Sequence, residues 1–395
     1  MHIDLEPHQV ALREELREYF TALVTPEVRA GLAAATGEFG EAGVYKDVIR
    51  RIGRDGWLGI GWPKEYGGQD RSMVEQLIFT DAAAVAGVPI PYLTLNTVGP
   101  TIMRFGTPEQ KEHFLPRILA GELHFSIGYS EPGSGTDLAS LRTKAVLEGD
   151  EWVINGQKMW TSLVQYADWI WLACRTEPDQ PRHKGLSMIL VPADAEGFSY
   201  TPVHTVAGVH TSATYYADVR VPAGNLVGER GGGWALMTNQ LNHERVALTS
   251  AAPLTHSLQL VRDWAAETRQ PDGRRVIDAE WVQAALGRAH ARVEALSLVN
   301  WKLAADADHG VPLSPAEASA TKVYGSELAT EVYRTLMEVV GPHAGITGDS
   351  PGAVLAGRLE RYHRSSLVMT FGGGTNEIQR DIIGYVGLGL PAAKR

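Results

Sequence analysis

Hydrophobic positions along the chain change their period twice. From about Pro7 to Gly121 they recur at helical spacing: Val10, Leu12, Leu16, Tyr19 and Phe20 step along one side of a helix, and Thr107-Pro-Glu-Gln110 reads as a helix start with proline in the first turn. From about His124 to Val227 the pattern becomes short alternating or β-branched runs. These are Thr143 to Leu147, Trp152 to Ile154, Trp169 to Ala173, Leu186 to Val191 and Tyr215 to Val221, divided by turn signals such as Gly149-Asp150 and Asn155-Gly156. After Gly231-Gly-Gly233 the helical period returns and runs almost to the C-terminus, with interruptions near Gln270-Pro-Asp-Gly273 and Val311-Pro-Leu-Ser-Pro315. The expected fold is α+β and multidomain: a helical domain over residues 1–123, a β domain over 124–230 and a second helical domain over 231–395. No internal repeat, low-complexity tract or long flexible linker breaks that order.

Composition narrows the picture. With 395 residues, 44% of them hydrophobic and 21% charged, the chain can bury a sizeable core, and disorder is not expected. A formal net charge of -10 repels nucleic acid and anionic membrane surfaces, so a polyanionic ligand must be met by a local basic group. The single cysteine, Cys174, excludes a disulfide framework and a multi-cysteine zinc site, and its apolar setting, Trp169-Ile-Trp-Leu-Ala-Cys174, reads as a packed thiol. The first ten residues show no basic start followed by an apolar stretch, and no apolar run approaches the ~20 residues of a membrane span, so a soluble, cytoplasmic protein is expected. There is no Gly-x-Gly-x-x-Gly after a strand, no phosphate loop, and His204 and His210 lack further ligands at metal spacing, so no metal site is expected.

The chemistry is concentrated in two segments. In Tyr129-Ser-Glu-Pro-Gly-Ser-Gly-Thr-Asp137 the proline and glycines force a tight turn whose backbone N–H groups can face one ligand. In Ile154-Asn-Gly-Gln-Lys-Met-Trp-Thr-Ser162 the strand leads to a flat aromatic face at Trp160 and hydroxyls at Thr161 and Ser162. Taken singly, the first is better read as a connecting loop and Trp160 as a core tryptophan. Together they suit the edge and face of an isoalloxazine ring.

These segments, their separation, the helical-β-helical order, the length and the C-terminal Gly374-Thr-Asn-Glu-Ile-Gln-Arg380 resemble the acyl-CoA dehydrogenase family over essentially the whole chain. The resemblance implies an N-terminal helical domain, a middle β-barrel domain and a C-terminal four-helix bundle, with FAD held at a subunit interface. It implies that Ile127, Tyr129, Ser130, Gly135, Thr136, Trp160, Thr161 and Ser162 line the flavin, with Ser162 near the reactive N5 side and Thr136 also bordering substrate. Arg269, Thr375 and Glu377 are further cofactor-binding positions by the same resemblance, and Gly374 is a substrate-binding one.

The family's reaction removes a proton beside a thioester while hydride leaves the adjacent carbon for the flavin, which requires a carboxylate base. By alignment, Gly373 falls where many members carry that glutamate; only its backbone N–H remains to hydrogen-bond the thioester carbonyl. Some relatives place the base on the first helix after the β domain. Here Trp234, Met237, Leu241 and Leu248 step at helical spacing, and Glu244 falls on the same stripe, as a base or as the partner of a buried arginine. Arg245 matches a family arginine that contacts coenzyme A, its alternative being a helix-surface arginine, and Asn242 matches a substrate-lining position. Gly231-Gly-Gly233 reads as a flexible entry to this helix or a hinge at the pocket mouth.

The likeness fails in one place. Family members complete a neighbouring subunit's FAD site with an arginine followed three residues later by phenylalanine, and with a glutamine before paired glycines. Arg269 keeps the first, but Asp272 replaces the phenylalanine, Glu338 replaces the glutamine and Pro342 interrupts the glycines. The expectation is an FAD-dependent dehydrogenase of acyl-CoA, tending toward bulky (branched or steroid-type) acyl groups, that passes electrons to an electron-transfer flavoprotein. It forms a homotetramer, or a heterotetramer with a related chain. The alternatives are an oxidase using O2 and a non-catalytic subunit completing another chain's site; a flavin monooxygenase needs no inward glutamate.

Overall fold

The computed structural model describes residues 4–33, 40–208, 210–238, 249–348 and 350–391. The helical, β, helical order of the sequence is the order of the structure. Its first part contains α1 (Pro7–Leu23), α2 (Pro26–Ala33), α3 (Ala42–Arg54), α4 (Met73–Ala86), α5 (Gly99–Phe105) and α6 (Pro108–Leu119). In α1 the buried residues are Leu12, Leu16 and Phe20, a stripe at four-residue steps that leaves Val10 exposed. At the start of α6, where the sequence signals a helix start, the Gln110 N–H donates to the Thr107 hydroxyl and the Thr107 N–H to Gln110 Oε1, both at 3.2 Å, a reciprocal cap. The Gln110 amide also donates to the carbonyls of Gly224 and Leu226 at 2.8 Å, joining this helix to the β domain.

The strands are β1 (Phe125–Gly128), β2 (Lys144–Glu148), β3 (Glu151–Lys158), β4 (Trp169–Arg175), β5 (Leu186–Pro192), β6 (Phe198–His204), β7 (His210–Pro222) and β8 (Leu226–Val227). Among the described residues they form one sheet in the order β6-β7-β3-β2-β4-β5-β8, with β1 parallel to β4. The apolar runs at β4 and β5 follow from burial on both faces. Trp171, Ala173, Met188 and Leu190 face the core shared with the first helices, while Ile170, Leu172, Cys174, Ile189 and Val191 fill the core on the other side.

The last part comprises α7 (Ala252–Glu267), α8 (Glu280–Asp308), α9 (Pro315–Val340), α10 (Arg358–Ser366) and α11 (Asn376–Ile382). Val261, Leu286, Val293, Leu296, Leu328 and Leu336 are among the residues of its separate core. The Asp308 carboxylate at the end of α8 accepts the Met73 and Val74 N–H groups at 2.6 and 3.2 Å, so this part closes onto the first turn of α4. No helix among the described residues is long and apolar enough to cross a membrane.

Candidate functional site

The two motif segments meet around a buried ion pair. Lys158, at the end of β3, is fully buried; its ammonium donates to the Tyr129 carbonyl at 3.0 Å and to Glu131 Oε1 at 2.9 Å. Glu131 in turn accepts the N–H groups of Arg142 at 2.7 Å and Thr143 at 2.8 Å. Burial pushes the Glu131 carboxyl up, but the Lys158 ammonium and the Thr143 hydrogen bonds outweigh it and hold the group below the usual carboxylate range. For Lys158 burial dominates and lowers its pKa, with Glu131 opposing. The Met159 N–H closes the junction onto the Ser130 carbonyl at 2.8 Å. This pair was not picked out from the sequence, where neither residue differs from an ordinary surface charge.

Beyond the junction the backbone is strained. Trp160 and Leu163 have φ of 64° and 65°, a left-handed conformation costly for residues with a Cβ. Trp160 is 57% exposed, which rules out the core-tryptophan reading, while Thr161 beside it is completely buried. The Thr161 N–H donates to the Ser212 carbonyl at 2.9 Å and its hydroxyl lies 3.3 Å from that of Thr214. The Ser162 hydroxyl donates to Thr211 Oγ1 at 3.3 Å, and the Ser126 hydroxyl donates to the Ser162 carbonyl. The segment is thus clamped between β1 and β7 with the indole displayed outward. Ile127 lies on β1 opposite Trp171, Tyr129 is buried, and Gly135 and Thr136 are exposed on the turn.

The second constellation is the glycine turn before α11. Gly373 and Gly374 have φ of 68° and 95°, so both need glycine's freedom. Thr375 caps α11 by accepting the Ile378 N–H at 3.3 Å, and Glu377 in its first turn is exposed. Beneath the turn, Lys322 of α9 is fully buried and donates to the Gly374 carbonyl at 2.8 Å and to Asn376 Oδ1 at 2.7 Å.

Arg269 is exposed and donates to the Gly273 carbonyl at 2.7 Å, while Asp272 pairs with Arg274 in the same hairpin. Glu338 lines a surface groove with Glu331 and three arginines, Arg288, Arg292 and Arg334, so the acid that departs from the family pattern sits in a locally basic setting. Glu244, Asn242 and Arg245 lie outside the described residues. Residues 233–238 leading toward them are helical, with Leu236 and Met237 buried and Trp234 packed on the first core. The glycines before this helix serve close approach rather than flexibility. A Cβ on Gly233 would lie 2.8 Å from the Ser187 Cα, and the Gly231 N–H donates to the Ser187 hydroxyl at 2.9 Å.

A cavity of about 1600 Å³ lies between the first helices and the last part, lined by Leu77, Val88, Tyr92, Leu95 and Met103 on one side and by Ala304 on the other. Ser250 also lines it, whereas Trp160, Thr136 and Gly373 do not. Among the described residues no group of three or more His, Cys, Asp or Glu side chains could hold a metal ion.

Residues 6–122, 126–219 and 231–388 match the family models for the N-terminal, middle and C-terminal domains of acyl-CoA dehydrogenase. The chain is 61% identical over 402 residues to acyl-CoA dehydrogenase FadE26 of Mycobacterium tuberculosis (strain ATCC 25618 / H37Rv), with 100% of each covered. Among solved structures, the ChsE4-ChsE5 complex from Mycobacterium tuberculosis contains a chain that is 61% identical, with a TM-score of 0.93 and full coverage of both. A chain of the Tcur3481-Tcur3483 steroid ACAD is 48% identical, with a TM-score of 0.91 and again 100% of each chain covered.

Proposed function

Because the chain belongs to the acyl-CoA dehydrogenase family, we propose that it converts an acyl-CoA thioester to its trans-2-enoyl-CoA with FAD as cofactor and Glu244 as base. The observation that carries the flavin part is Trp160, an indole held outward in strained backbone above the buried, hydroxyl-lined anchor of Thr161. These residues fit a flavin: Trp160 offers a face, Thr161, Ser162 and the turn from Tyr129 to Thr136 offer amides and hydroxyls to its polar edge, Thr375 and Glu377 are assigned to the rest of the cofactor, and Arg269 is assigned to the FAD of a neighbouring subunit. FAD, when bound, supplies the acceptor for the hydride leaving the β-carbon.

The chain's own residues do the proton chemistry. Gly373 has no side chain to take a proton, so the α-proton passes to a carboxylate oxygen of Glu244, while the Gly373 N–H donates to the thioester oxygen as negative charge develops there. Asn242 and Gly374 line the substrate, Thr136 borders it, and Arg245 supplies the local positive charge for coenzyme A on an acidic chain. The tiny side chains of Gly372, Gly373 and Gly374, with the base moved to another helix, leave room for a branched or polycyclic acyl group. Electrons leave to an electron-transfer flavoprotein.

Asp272 in place of the phenylalanine and Pro342 between the glycines favour assembly with a second, related chain that completes the FAD site, and the likeness to a chain of the ChsE4-ChsE5 complex supports the same reading. The test is Glu244→Gln in the holoenzyme: FAD is retained and acyl-CoA no longer bleaches it, whereas undiminished bleaching refutes the base. Stoichiometric FAD and full activity in the chain expressed alone would refute the heteromer.

A further inference from the structure

We propose that Lys322 is a positioning residue for the thioester, acting by fixing the glycine turn that carries the Gly373 N–H; this rests on the role given to Gly373 above. Three consecutive glycines would ordinarily sample many conformations, and an N–H that must meet a developing negative charge has to be held still before the charge forms.

The hydrogen bonds show how the turn is held. Each trans peptide is a rigid plane with its C=O and the next N–H pointing in opposite directions. The plane before Gly372 is fixed because the Gly372 N–H donates to the Val368 carbonyl at 2.8 Å. The plane after Gly373 is fixed through its carbonyl, which accepts a long bond of 3.5 Å from Gln379. The plane after Gly374 is fixed most firmly, by the Lys322 ammonium at 2.8 Å. The intervening plane, which presents the Gly373 N–H, is flanked by the planes held at Gly372 and at the Gly373 carbonyl, and the Lys322 bond holds the next plane along, which limits how far the weakly bonded Gly373 carbonyl can move.

The anchors are themselves immobile. Lys322, Gln379 and Ser319 are fully buried, and Ser319 donates to Gln379 Oε1 at 2.8 Å. Lys322 also donates to Asn376 Oδ1 at 2.7 Å, and the Asn376 amide donates to Ser326 Oγ at 3.1 Å and Glu327 Oε1 at 3.2 Å. A buried ammonium ion is costly to desolvate, and a carbonyl with a side-chain amide oxygen gives it directional acceptors that a neutral side chain would not need. Its placement under the one turn where the chain carries glycine in place of a carboxylate gives that cost a function.

The experiment uses the purified holoenzyme, with its partner chain where one is required. Its probe is whichever acyl-CoA, from a panel of linear, branched and polycyclic thioesters, bleaches the wild-type flavin fastest. Lys322→Met is expected to lower the limiting bleaching rate about 10- to 100-fold, the scale of a small misplacement of reacting groups. The Kd for the thioester stays within about threefold, as expected for an interaction that matters chiefly in the transition state. Flavin content is measured alongside and the limiting rate is expressed per bound flavin, because Lys322 holds Gly374 and Asn376 on either side of Thr375, a residue assigned to the cofactor. An unchanged limiting rate, or a loss confined to Kd, overturns the proposal. Should Lys322→Met fail to fold, Gln379→Leu releases the Gly373 carbonyl alone; a severalfold fall in the limiting rate supports the proposal and a wild-type rate overturns it. Glu244→Gln, measured alongside, separates the two readings, since persistent bleaching there refutes the base assignment and leaves the Lys322 outcome to be judged separately.

Discussion

Replacing Lys158 with methionine isolates what joins the two motif segments. The substitution removes the bonds to the Tyr129 carbonyl and to Glu131, and it leaves the Glu131 carboxylate, only 8% exposed, without its cation. Breaking a buried pair from one side costs about 3–5 kcal/mol. The low end, about 3 kcal/mol, is expected here, because Glu131 keeps the Arg142 and Thr143 N–H bonds that satisfy part of its charge. In the wild type the folded Glu131 pKa lies below its unfolded value, so its contribution is fully present above an unfolded pKa of about 4.3 and is lost as pH falls through the folded value. Without Lys158 the folded pKa rises relative to the wild type, so the loss of stability is smallest near pH 5 and grows toward pH 8. The assay is equilibrium urea unfolding at both pH values for wild type, Lys158→Met and Lys158→Met/Glu131→Gln. The double variant should recover much of the loss, since the glutamine still accepts backbone N–H groups without carrying charge. A Lys158→Met variant within about 0.5 kcal/mol of wild type at both pH values, or a double variant no better than the single, would refute the reasoning.

Three further outcomes follow from single positions. Trp160→Gly should leave the unfolding free energy within about 0.5 kcal/mol of wild type or raise it, since it relieves a left-handed φ of 64° at an exposed side chain, while flavin affinity measured by fluorescence titration falls at least tenfold. Gly233→Ala should cost about 1–3 kcal/mol in urea unfolding, because its new Cβ meets Ser187 Cα at 2.8 Å and the Leu186 carbonyl at 2.9 Å, backbone atoms that cannot rotate away. Cys174 is buried, its thiol pushed up to about 12 by desolvation, so a thiol reagent at pH 8 should label the native chain at most at the rate of global unfolding and label it fully in urea.

The domain order was legible because burial imposes a period on the letters: one helix face in α1, and two buried sheet faces in β4 and β5. Strand β6 carried no such signal, since it is an edge strand, mostly exposed, with Pro202 inside it. The glycines at 231–233 were legible as glycines but not in purpose; flexibility and close approach use the same residue, and only the neighbouring β5 backbone distinguishes them.

The charged residues that organise the site were the least legible part, for a reason general to long side chains. Lys158 reaches Glu131 across 27 positions, and Lys322 reaches Gly374 across 52, so no local pattern marks either as buried. Both do the same physical job. Each fixes the carbonyl of a glycine- or proline-rich turn whose own sequence specifies shape without rigidity: Tyr129 on the segment assigned to the flavin, and Gly374 on the turn assigned to the thioester. A turn rich in glycine can bring several N–H groups near a ligand but cannot hold them there, because the freedom that admits the conformation also admits others. A buried ammonium supplies the missing constraint, since leaving it without its acceptors would cost several kcal/mol, roughly the price of an unmatched buried charge. That coupling makes the two lysines the positions where a conservative-looking substitution should disturb function most while leaving every motif residue intact.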